Sequence, residues 1–321
     1  LTAGNYTDTY NLEFPQVEKP TFSVKEGAFK SEQTVTIEST TPGATIYYTI
    51  DESDPSDENN EKRKPYNNSP IEINEGTTTL KAVAVKEGMV DSDIVEATYI
   101  IDKTKPEIKI KKQGDEGEGE AVSTKPYKER QTITVTDDYL ESVKVKKDNE
   151  DEKTLSFENN TCTFDLEENG TYTITAIDKA GNKTTATVTL ELKKPTKIIN
   201  PTLIFDNGLS EDGIKEKLQK DGKVKIQLEG SDSIEADVKW ENIDNEKFKN
   251  ESEDNELVEI KGTIILPSNV EKSKDTNLEI TVQVTVMGKV KQPIFNPQGG
   301  TYDSEQTVTI TSDTKDATIW Y

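Results

Sequence analysis

The chain has 321 residues, with 39 Lys and Arg against 62 Asp and Glu, so its net charge at pH 7 is -23. Such a chain lacks the excess of cations that binding to a nucleic acid or an anionic membrane surface requires, and it contains no apolar run of about 18 residues that could span a bilayer. The absence of histidine and the single cysteine, Cys162, exclude a Ser-His-Asp triad, an intrachain disulfide and a cysteine-based zinc site.

Alternation of polar and apolar residues runs through most of the chain. Residues 34–37, 131–136 and 172–176 alternate polar with mostly β-branched side chains, between turns rich in Gly, Pro, Asn and Asp. A period of two indicates half-buried strands. We therefore predict an all-β protein of serial immunoglobulin-like β-sandwiches in an elongated array, with one short helix near 210–220.

The first segment, 1–17, is predicted to be a leader or the last strand of a preceding module. Residues 4–14 resemble residues 88–99, which are predicted to close the following module. Because the chain opens with Leu-Thr-Ala-Gly and not with Met, we expect it to be a piece cut from a longer polypeptide.

Residues 18–102 are predicted to form the first complete module. Its markers are GATIYYTID from Gly43, Ser53-Asp54-Pro55, Tyr66, Pro70-Ile71 and LKAVAVK from Leu80. Over 18–101 these features resemble the chitobiase/β-hexosaminidase C-terminal-type Ig-like module, although the insertion at 56–64 is longer and more charged than usual. The resemblance implies a non-catalytic module of a secreted or wall-attached bacterial protein. Arrays of such modules often accompany glycan-degrading enzymes or adhesins.

Two further modules are predicted at 103–193 and 194–290. The markers of the first are Lys105-Pro106, the strand residues around Val143, Gly170-Thr171-Tyr172 and DKAGN from Asp178; they resemble a bacterial surface Ig-like domain over 103–192. The second carries the predicted helix, for which Ser210 is the candidate N-cap and Ile214 and Leu218 form one apolar face. Over 195–288 it resembles another class of bacterial Ig-like repeat.

The end of the chain repeats its beginning. Residues 20–48 and 293–321 align without gaps and share 16 of 29 positions, including SEQTVTI at Ser31 and again at Ser304. We therefore predict that 291–321 is the first half of a second chitobiase C-terminal-like module. An isolated half-sandwich cannot bury its apolar face, so it ends inside a module or borrows strands. A strand swap between 1–17 and 293–321 is one such arrangement; otherwise a monomer is expected.

The alternation also assigns side chains to the core. Ala44, Ile46, Tyr48 and Ile50 share a parity and are predicted to face inward, and Tyr47 outward. By the same reasoning Ala317, Ile319 and Tyr321 face inward and Trp320 outward. Four residues complete the predicted structural core: Tyr48, Cys162 as a buried thiol, Trp240, and Tyr172 as a tyrosine corner that bonds nearby backbone.

Two ligand hypotheses follow from these patterns, each with a plainer alternative. Tyr47 and Trp320 occupy equivalent outward positions and are candidates for stacking on sugar rings; alternatively, they cover a strand surface or a module interface. Asp51, Asp54 and Asp57 lie in a loop dense in oxygen ligands and are calcium candidates, as are Asp137-Asp138 and Asp178 near Asn182. The alternative for these carboxylates is a solvated loop.

The predicted function is that of a non-catalytic extracellular spacer or presentation region of a larger bacterial surface or secreted protein, expected to be Gram-positive. With 62 acidic residues, pairs of carboxylates arise by composition, so no catalytic residue and no cofactor are predicted. The alternatives are a carbohydrate-binding accessory region of a glycan-degrading enzyme and an adhesin stalk that binds a host protein. The expected partners are neighbouring domains of the same polypeptide and glycans or cell-wall polysaccharide, without nucleic acid or membrane insertion.

Overall fold

Strands make up nearly all of the regular structure, as the alternating sequence predicts. The computed structural model of the protein describes residues 14–230, 232–241, 243–314 and 317–321. Most of the segment 1–17 lies outside these ranges, including the strand predicted at 4–14 except for its last residue, Phe14. At its described end, Gln16 forms a bridge with Val90, and Val17 is buried in the first core.

The first part of the described chain contains nine strands. They are β1 Thr21–Phe22, β2 Gly27–Phe29, β3 Gln33–Val35, β4 Ile37–Glu38, β5 Thr45–Thr49, β6 Lys64–Pro65, β7 Ile71–Ile73, β8 Gly76–Val85 and β9 Val95–Ile101. Five of these strands form a sheet in the order β2-β9-β8-β5-β6. Two further pairs are β1-β4 and β3-β7. The strand predicted at 34–37 is divided between them, since it pairs with β7 up to Val35 and with β1 from Ile37.

The next part consists of two four-stranded antiparallel sheets. Its strands are β10 Glu107–Lys112, β11 Glu120–Ala121, β12 Gln131–Thr136, β13 Leu140–Lys147, β14 Lys153–Leu155, β15 Thr161–Leu166, β16 Gly170–Asp178 and β17 Lys183–Leu190. The orders are β11-β10-β12-β15 and β14-β13-β16-β17. Ile133 on β12 and Ile174 on β16 bring the two sheets into one core. The strands predicted at 131–136 and 172–176 are both present.

A six-stranded sheet and a helix form the following part. Its elements are β18 Pro195–Ile199, β19 Leu203–Phe205, α1 Glu211–Asp221, β20 Val224–Leu228, β21 Ser233–Trp240, a 3-10 turn Asn245–Phe248, β22 Glu256–Ile265 and β23 Glu279–Val286. The order is β18-β20-β21-β22-β23-β19. The first half of β21 pairs with β20 and its second half with β22, so one strand links the two sides of the core.

The helix α1 confirms the short helix predicted near 210–220. Ser210 caps it, because the backbone N–H of Gly213 donates a 3.2 Å hydrogen bond to the Ser210 Oγ. Ile214 and Leu218, four residues apart, are the buried face of the helix. At 11 residues the helix is short, and none in the described part of the chain is long and apolar enough to cross a membrane.

The last part of the chain contains one strand pair, β24 Ile294–Asn296 with β25 Thr309–Thr311. Ile294 and Phe295 are exposed, because no second sheet covers them in the described part of this segment. Ala317 and Ile319 are half-buried, but Tyr321, predicted to face inward, is fully exposed. The alternation at 317–321 thus does not place Tyr321 in a core, since no strand forms there.

The inward parity predicted for the strand at 44–50 fails at its end. Ile46 is buried as predicted, but β5 stops at Thr49, which is buried, and Ile50 is exposed. The following turn folds back over Thr49, whose hydroxyl donates a 2.7 Å hydrogen bond to the carbonyl of Ser53. This local bond reverses the alternation at the last two positions.

Three hydrophobic clusters define three units. The first unit draws its core from 17–101, the second from 108–192 and the third from 198–286. The described residues therefore form a series of β-sandwiches with one short α-helix, as the sequence predicts. The module limits at 18–102, 103–193, 194–290 and 291–321 remain a prediction.

Candidate functional site

Tyr47, the first candidate for sugar stacking, has one face of its ring covered. It lies in β5 opposite Pro65 and is half-buried. The guanidinium carbon of Arg63 stands 3.5 Å from the centre of the ring, close enough for a cation–π contact. Arg63 had no predicted role, although Lys62-Arg63-Lys64 stands out in the sequence as a basic stretch beside an acidic loop.

Trp320, the equivalent residue in the repeat, has different surroundings. Its side chain is 91% exposed, and residues 317–321 form no strand. Tyr47 and Trp320 occupy equivalent positions in the two repeats, but the ring of Tyr47 is stacked against an arginine and that of Trp320 is exposed to solvent. Glycan stacking by these two residues stays a prediction, and Trp320 has the ring surface it requires.

The acidic loop that contains Asp51, Asp54 and Asp57 uses each carboxylate in its own turn. Asp54 Oδ1 accepts hydrogen bonds from the backbone N–H (2.7 Å) and the hydroxyl (2.6 Å) of Ser56, and Asp57 Oδ1 accepts from the N–H of Asn59 at 2.9 Å. The bond from Ser56 holds the pKa of Asp54 below its usual range. Among the described residues, the three carboxylates that converge within 4.8 Å lie elsewhere.

Two of the predicted core residues, Cys162 and Tyr172, are buried in the second unit. Cys162 pairs with Val135 across β12 and β15, and burial raises the pKa of its thiol. Tyr172 donates a 2.8 Å hydrogen bond from its hydroxyl to the carbonyl of Glu168, four residues earlier. This is the backbone contact expected of a tyrosine corner.

The other two, Tyr48 and Trp240, are half-buried at the edges of their cores. Tyr48 packs edge-to-face against Tyr66, with ring centres 6.2 Å apart. Trp240 ends β21 and lies beside a cavity of about 770 Å³ between that strand and α1. A Cβ added to Gly222 or Gly262 would lie 2.9 Å from an atom of the Trp240 indole, so these glycines make room for the ring.

Arg130, for which the sequence predicted no role, joins the second unit to the third. Its Nη2 donates to the carbonyl of Leu266 at 2.9 Å and its Nη1 to that of Val270 at 3.3 Å. Its Nε donates to Gln113 Oε1 at 2.8 Å, which orients the guanidinium. The residue is partly buried, and burial lowers its pKa while the nearby carboxylates of Glu167 and Asp165 oppose that shift.

Backbone hydrogen bonds continue across the same junction. Lys193, between the second and third units, pairs with Val270 in a parallel bridge: its N–H donates to Asn269 at 2.9 Å, and its carbonyl accepts from Glu271 at 2.9 Å. The N–H of Arg130 donates to the carbonyl of Ser268 at 2.7 Å. The two units are therefore joined by main-chain groups from two separate segments, and a hinge at residue 193 would break these bonds.

The junction between the first and second units is held mainly by polar side chains. The backbone N–H of Asp102 donates to the carbonyl of Phe29 at 3.0 Å, and Asn182 Nδ2 donates to the carbonyl of Asp102 at 2.8 Å. A 3.0 Å hydrogen bond joins the hydroxyls of Thr77 and Tyr139. Asp102 thus contacts the unit on each side of it.

Several solved structures are similar to the chain. Fibronectin(III)-like modules of Clostridium thermocellum CbhA are 18% identical, with 53% of this chain and 92% of that chain covered and a TM-score of 0.24. A tetra-tandem repeat in the extending region of a large adhesion protein is 8% identical, with 84% and 73% covered and a TM-score of 0.25. SGBP-B of Bacteroides ovatus, solved with a mixed-linkage heptasaccharide, is 12% identical, with 89% and 74% covered and a TM-score of 0.18. Such low scores assign no function to this chain.

The sequence comparisons concern the first unit. No curated protein matches the chain in sequence. The family model described as the chitobiase/beta-hexosaminidase C-terminal domain matches residues 24–96, inside the stretch 18–101 for which the sequence predicts this resemblance. Residues 24–96 of this chain are thus similar to the chitobiase/beta-hexosaminidase C-terminal domain family.

Proposed function

We propose that this chain is a non-catalytic spacer of an extracellular bacterial surface or secreted protein, which holds a functional domain of the same polypeptide away from its attachment point. The observation that carries the proposal is the junction between the second and third units. Two domains joined by one linker ordinarily move relative to each other. Here the bonds of Arg130 and the bridge between Lys193 and Val270 oppose that motion.

Charge favours the same role. A net charge of -23 keeps neighbouring modules and molecules from associating, which suits an exposed, monomeric stalk. Stiffness without disulfides must come from packing and hydrogen bonds; main-chain groups supply hydrogen bonds at the junction between the second and third units, and mainly polar side chains do so between the first and second. The match of residues 24–96 to a C-terminal domain of chitobiase fits a region that accompanies another domain.

Small-angle X-ray scattering tests whether the chain is stiff. The unmodified protein is expected to give the scattering of one extended conformation in 0.15 M salt. Arg130→Ala removes the side-chain bonds of the second junction, so it is expected to broaden the distance distribution. Arg63→Ala is the matched control, because Arg63 contacts Tyr47 within the first unit. A flexible unmodified protein would contradict the spacer proposal, and equal curves for both variants would show that the Arg130 side chain does not stiffen the junction.

A second candidate function is glycan binding, which the exposed ring of Trp320 favours. An exposed indole packs its flat apolar face against a pyranose ring while its N–H stays hydrated. Tyr47 is less suited to this role because Arg63 covers one face of its ring.

A polysaccharide array followed by calorimetric titration tests this candidate. Trp320→Ala is expected to abolish binding, and Tyr47→Ala to weaken it less. If the unmodified protein binds no glycan at high protein concentration, or if Trp320→Ala binds as well as it does, stacking at Trp320 is excluded.

A further inference from the structure

Three aspartates from distant parts of the chain converge at the junction of the first and second units. Asp102 follows β9, Asp137 follows β12 and Asp178 ends β16. One carboxylate oxygen of each lies within 4.8 Å of the other two. Because β12 and β16 belong to opposite sheets of the second unit, the cluster lies where both sheets meet the linker.

One oxygen in this cluster is buried without a partner. Asp102 is 5% exposed, and its Oδ1 accepts hydrogen bonds from the N–H (2.9 Å) and hydroxyl (2.6 Å) of Thr104. Its Oδ2 is buried and accepts none. A buried carboxylate oxygen without a donor is unfavourable, and such atoms in native proteins commonly contact a water or an ion.

The other two carboxylates are held in place by their own turns. Asp178 is 0% exposed, and its two oxygens accept from the backbone N–H and the Nδ2 of Asn182, each at 2.8 Å. Asp137 Oδ1 accepts from the N–H of Tyr139 at 2.8 Å. These bonds fix the direction of each carboxylate and leave lone pairs for a further ligand.

No protein cation neutralises the three carboxylates. None of them forms an ion pair with any lysine or arginine of the described residues, and Lys103, adjacent to Asp102, pairs with Glu32 and Glu75 instead. The cluster therefore concentrates uncompensated negative charge in a largely buried place.

We propose that Asp102, Asp137 and Asp178 bind one calcium ion between the first and second units. Calcium binds carboxylate oxygens at 2.3–2.6 Å, so two ligands on opposite sides of one ion stand about 5 Å apart, which accommodates oxygens within 4.8 Å of each other. Ligands from three separate segments suit the variable geometry of calcium better than the strict octahedron of magnesium. The ion would satisfy Asp102 Oδ2 and connect the linker to both sheets of the second unit.

The proposal goes beyond the spacer role, because the site can bind calcium whether or not the chain acts as a spacer. It also differs from the loop at Asp51, Asp54 and Asp57, whose carboxylates each serve a separate turn. Of the calcium candidates taken from the sequence, Asp137 and Asp178 belong to this cluster; Asp102 was not among them.

Isothermal titration calorimetry of the full chain with calcium chloride, after removal of divalent cations with EDTA and in 0.15 M sodium chloride, tests the site. One ion per chain is expected to bind, with a dissociation constant between roughly 10 μM and 1 mM. Asp102→Asn and Asp137→Asn are each expected to weaken binding about tenfold or more, because each removes one of three ligand charges. Asp138→Asn is the matched control, since Asp138 is an exposed neighbour outside the cluster.

A thermal melt with and without calcium gives a second readout. Calcium is expected to raise the unfolding temperature of the unmodified protein and of Asp138→Asn, but not that of Asp137→Asn. Circular dichroism in EDTA shows which variants fold; if Asp102→Asn does not, Asp137→Asn alone decides. The proposal is overturned if calcium binding does not saturate. It is also overturned if Asp138→Asn weakens binding as much as Asp137→Asn does, because calcium would then associate diffusely with an acidic surface. Equally tight binding of magnesium would overturn the assignment to calcium.

Discussion

The guanidinium of Arg130 donates a 2.9 Å hydrogen bond to the backbone carbonyl of Leu266, 136 residues further along the chain. The bond joins the second unit to the third, and its acceptor is a main-chain carbonyl rather than a side chain. The Arg130 side chain therefore adds to the main-chain hydrogen bonds that join the second and third units. Arginine suits the position because its planar fork directs several N–H groups at once.

We expect Arg130→Ala to lower the free energy of unfolding by about 1–3 kcal/mol, because the carbonyls of Leu266 and Val270 lose their donors in a partly buried junction. Arg130→Lys should not restore it, since one ammonium group cannot reproduce the three directed contacts. Urea unfolding followed by the fluorescence of Trp240 in a Trp320→Phe background measures the change. If Arg130→Lys is as stable as the unmodified protein, the planar guanidinium is not what this junction requires.

Gly262→Ala is expected to destabilise the third unit by about 1–3 kcal/mol through overpacking. The added Cβ would lie 2.6 Å from Val238 Cγ1 and 2.9 Å from Trp240 Cε3. Thr263→Ala is the matched control, because Thr263 is the next residue on β22 and is exposed on the other face. Thermal unfolding compares the two variants. The prediction fails if both lower the unfolding temperature equally.

Tyr172→Phe is expected to lower stability by about 1 kcal/mol at neutral pH, because it removes the hydrogen bond to the carbonyl of Glu168. Burial raises the pKa of Tyr172 above its ordinary value, with the charge of Glu168 adding to the shift. Above pH of about 10 the unfolded chain therefore binds fewer protons than the folded one, so stability is complete below that pH and falls as pH rises.

The alkaline loss of stability should be smaller in Tyr172→Phe, which has no phenol to ionise at that position. Denaturant unfolding between pH 8 and 11 gives the comparison. Tyr302→Phe is the control, because Tyr302 is exposed. Parallel curves for the unmodified protein and Tyr172→Phe would show that Tyr172 does not contribute to the pH dependence.

Cys162 is expected to resist thiol reagents until the second unit opens. Cys162 lies on β15 with its side chain buried in the core of the second unit, and burial raises the pKa of its thiol, so little reactive thiolate is present. Labelling at pH 8 should be at least about a thousandfold slower in the folded protein than in urea. The control is Thr163→Cys in a Cys162→Ser background, because residue 163 is exposed. Similar rates for both thiols would place Cys162 outside the core.

Local structure was largely predictable because it depends on neighbouring residues. The alternation at 131–136 appears as β12, and Ser210 with Ile214 and Leu218 appears as the cap and buried face of α1. Caps and alternation act over a few residues, so their signals are complete in the sequence. The parity at Thr49 and Ile50 was not predictable in this way, because the following turn folds back over Thr49 and accepts a hydrogen bond from its hydroxyl.

Composition, periodicity and repetition were enough to predict an acidic chain of β-modules, the place of its helix and a repeated stretch, because these signals do not depend on tertiary packing. Tertiary packing was needed to show that Arg63 covers Tyr47 while Trp320 stays exposed, and that Asp102, Asp137 and Asp178 converge. Each of the three aspartates lies at the end of a different strand. Strand pairing and the packing of two sheets bring those ends together, and neither leaves a signal in the spacing of the residues.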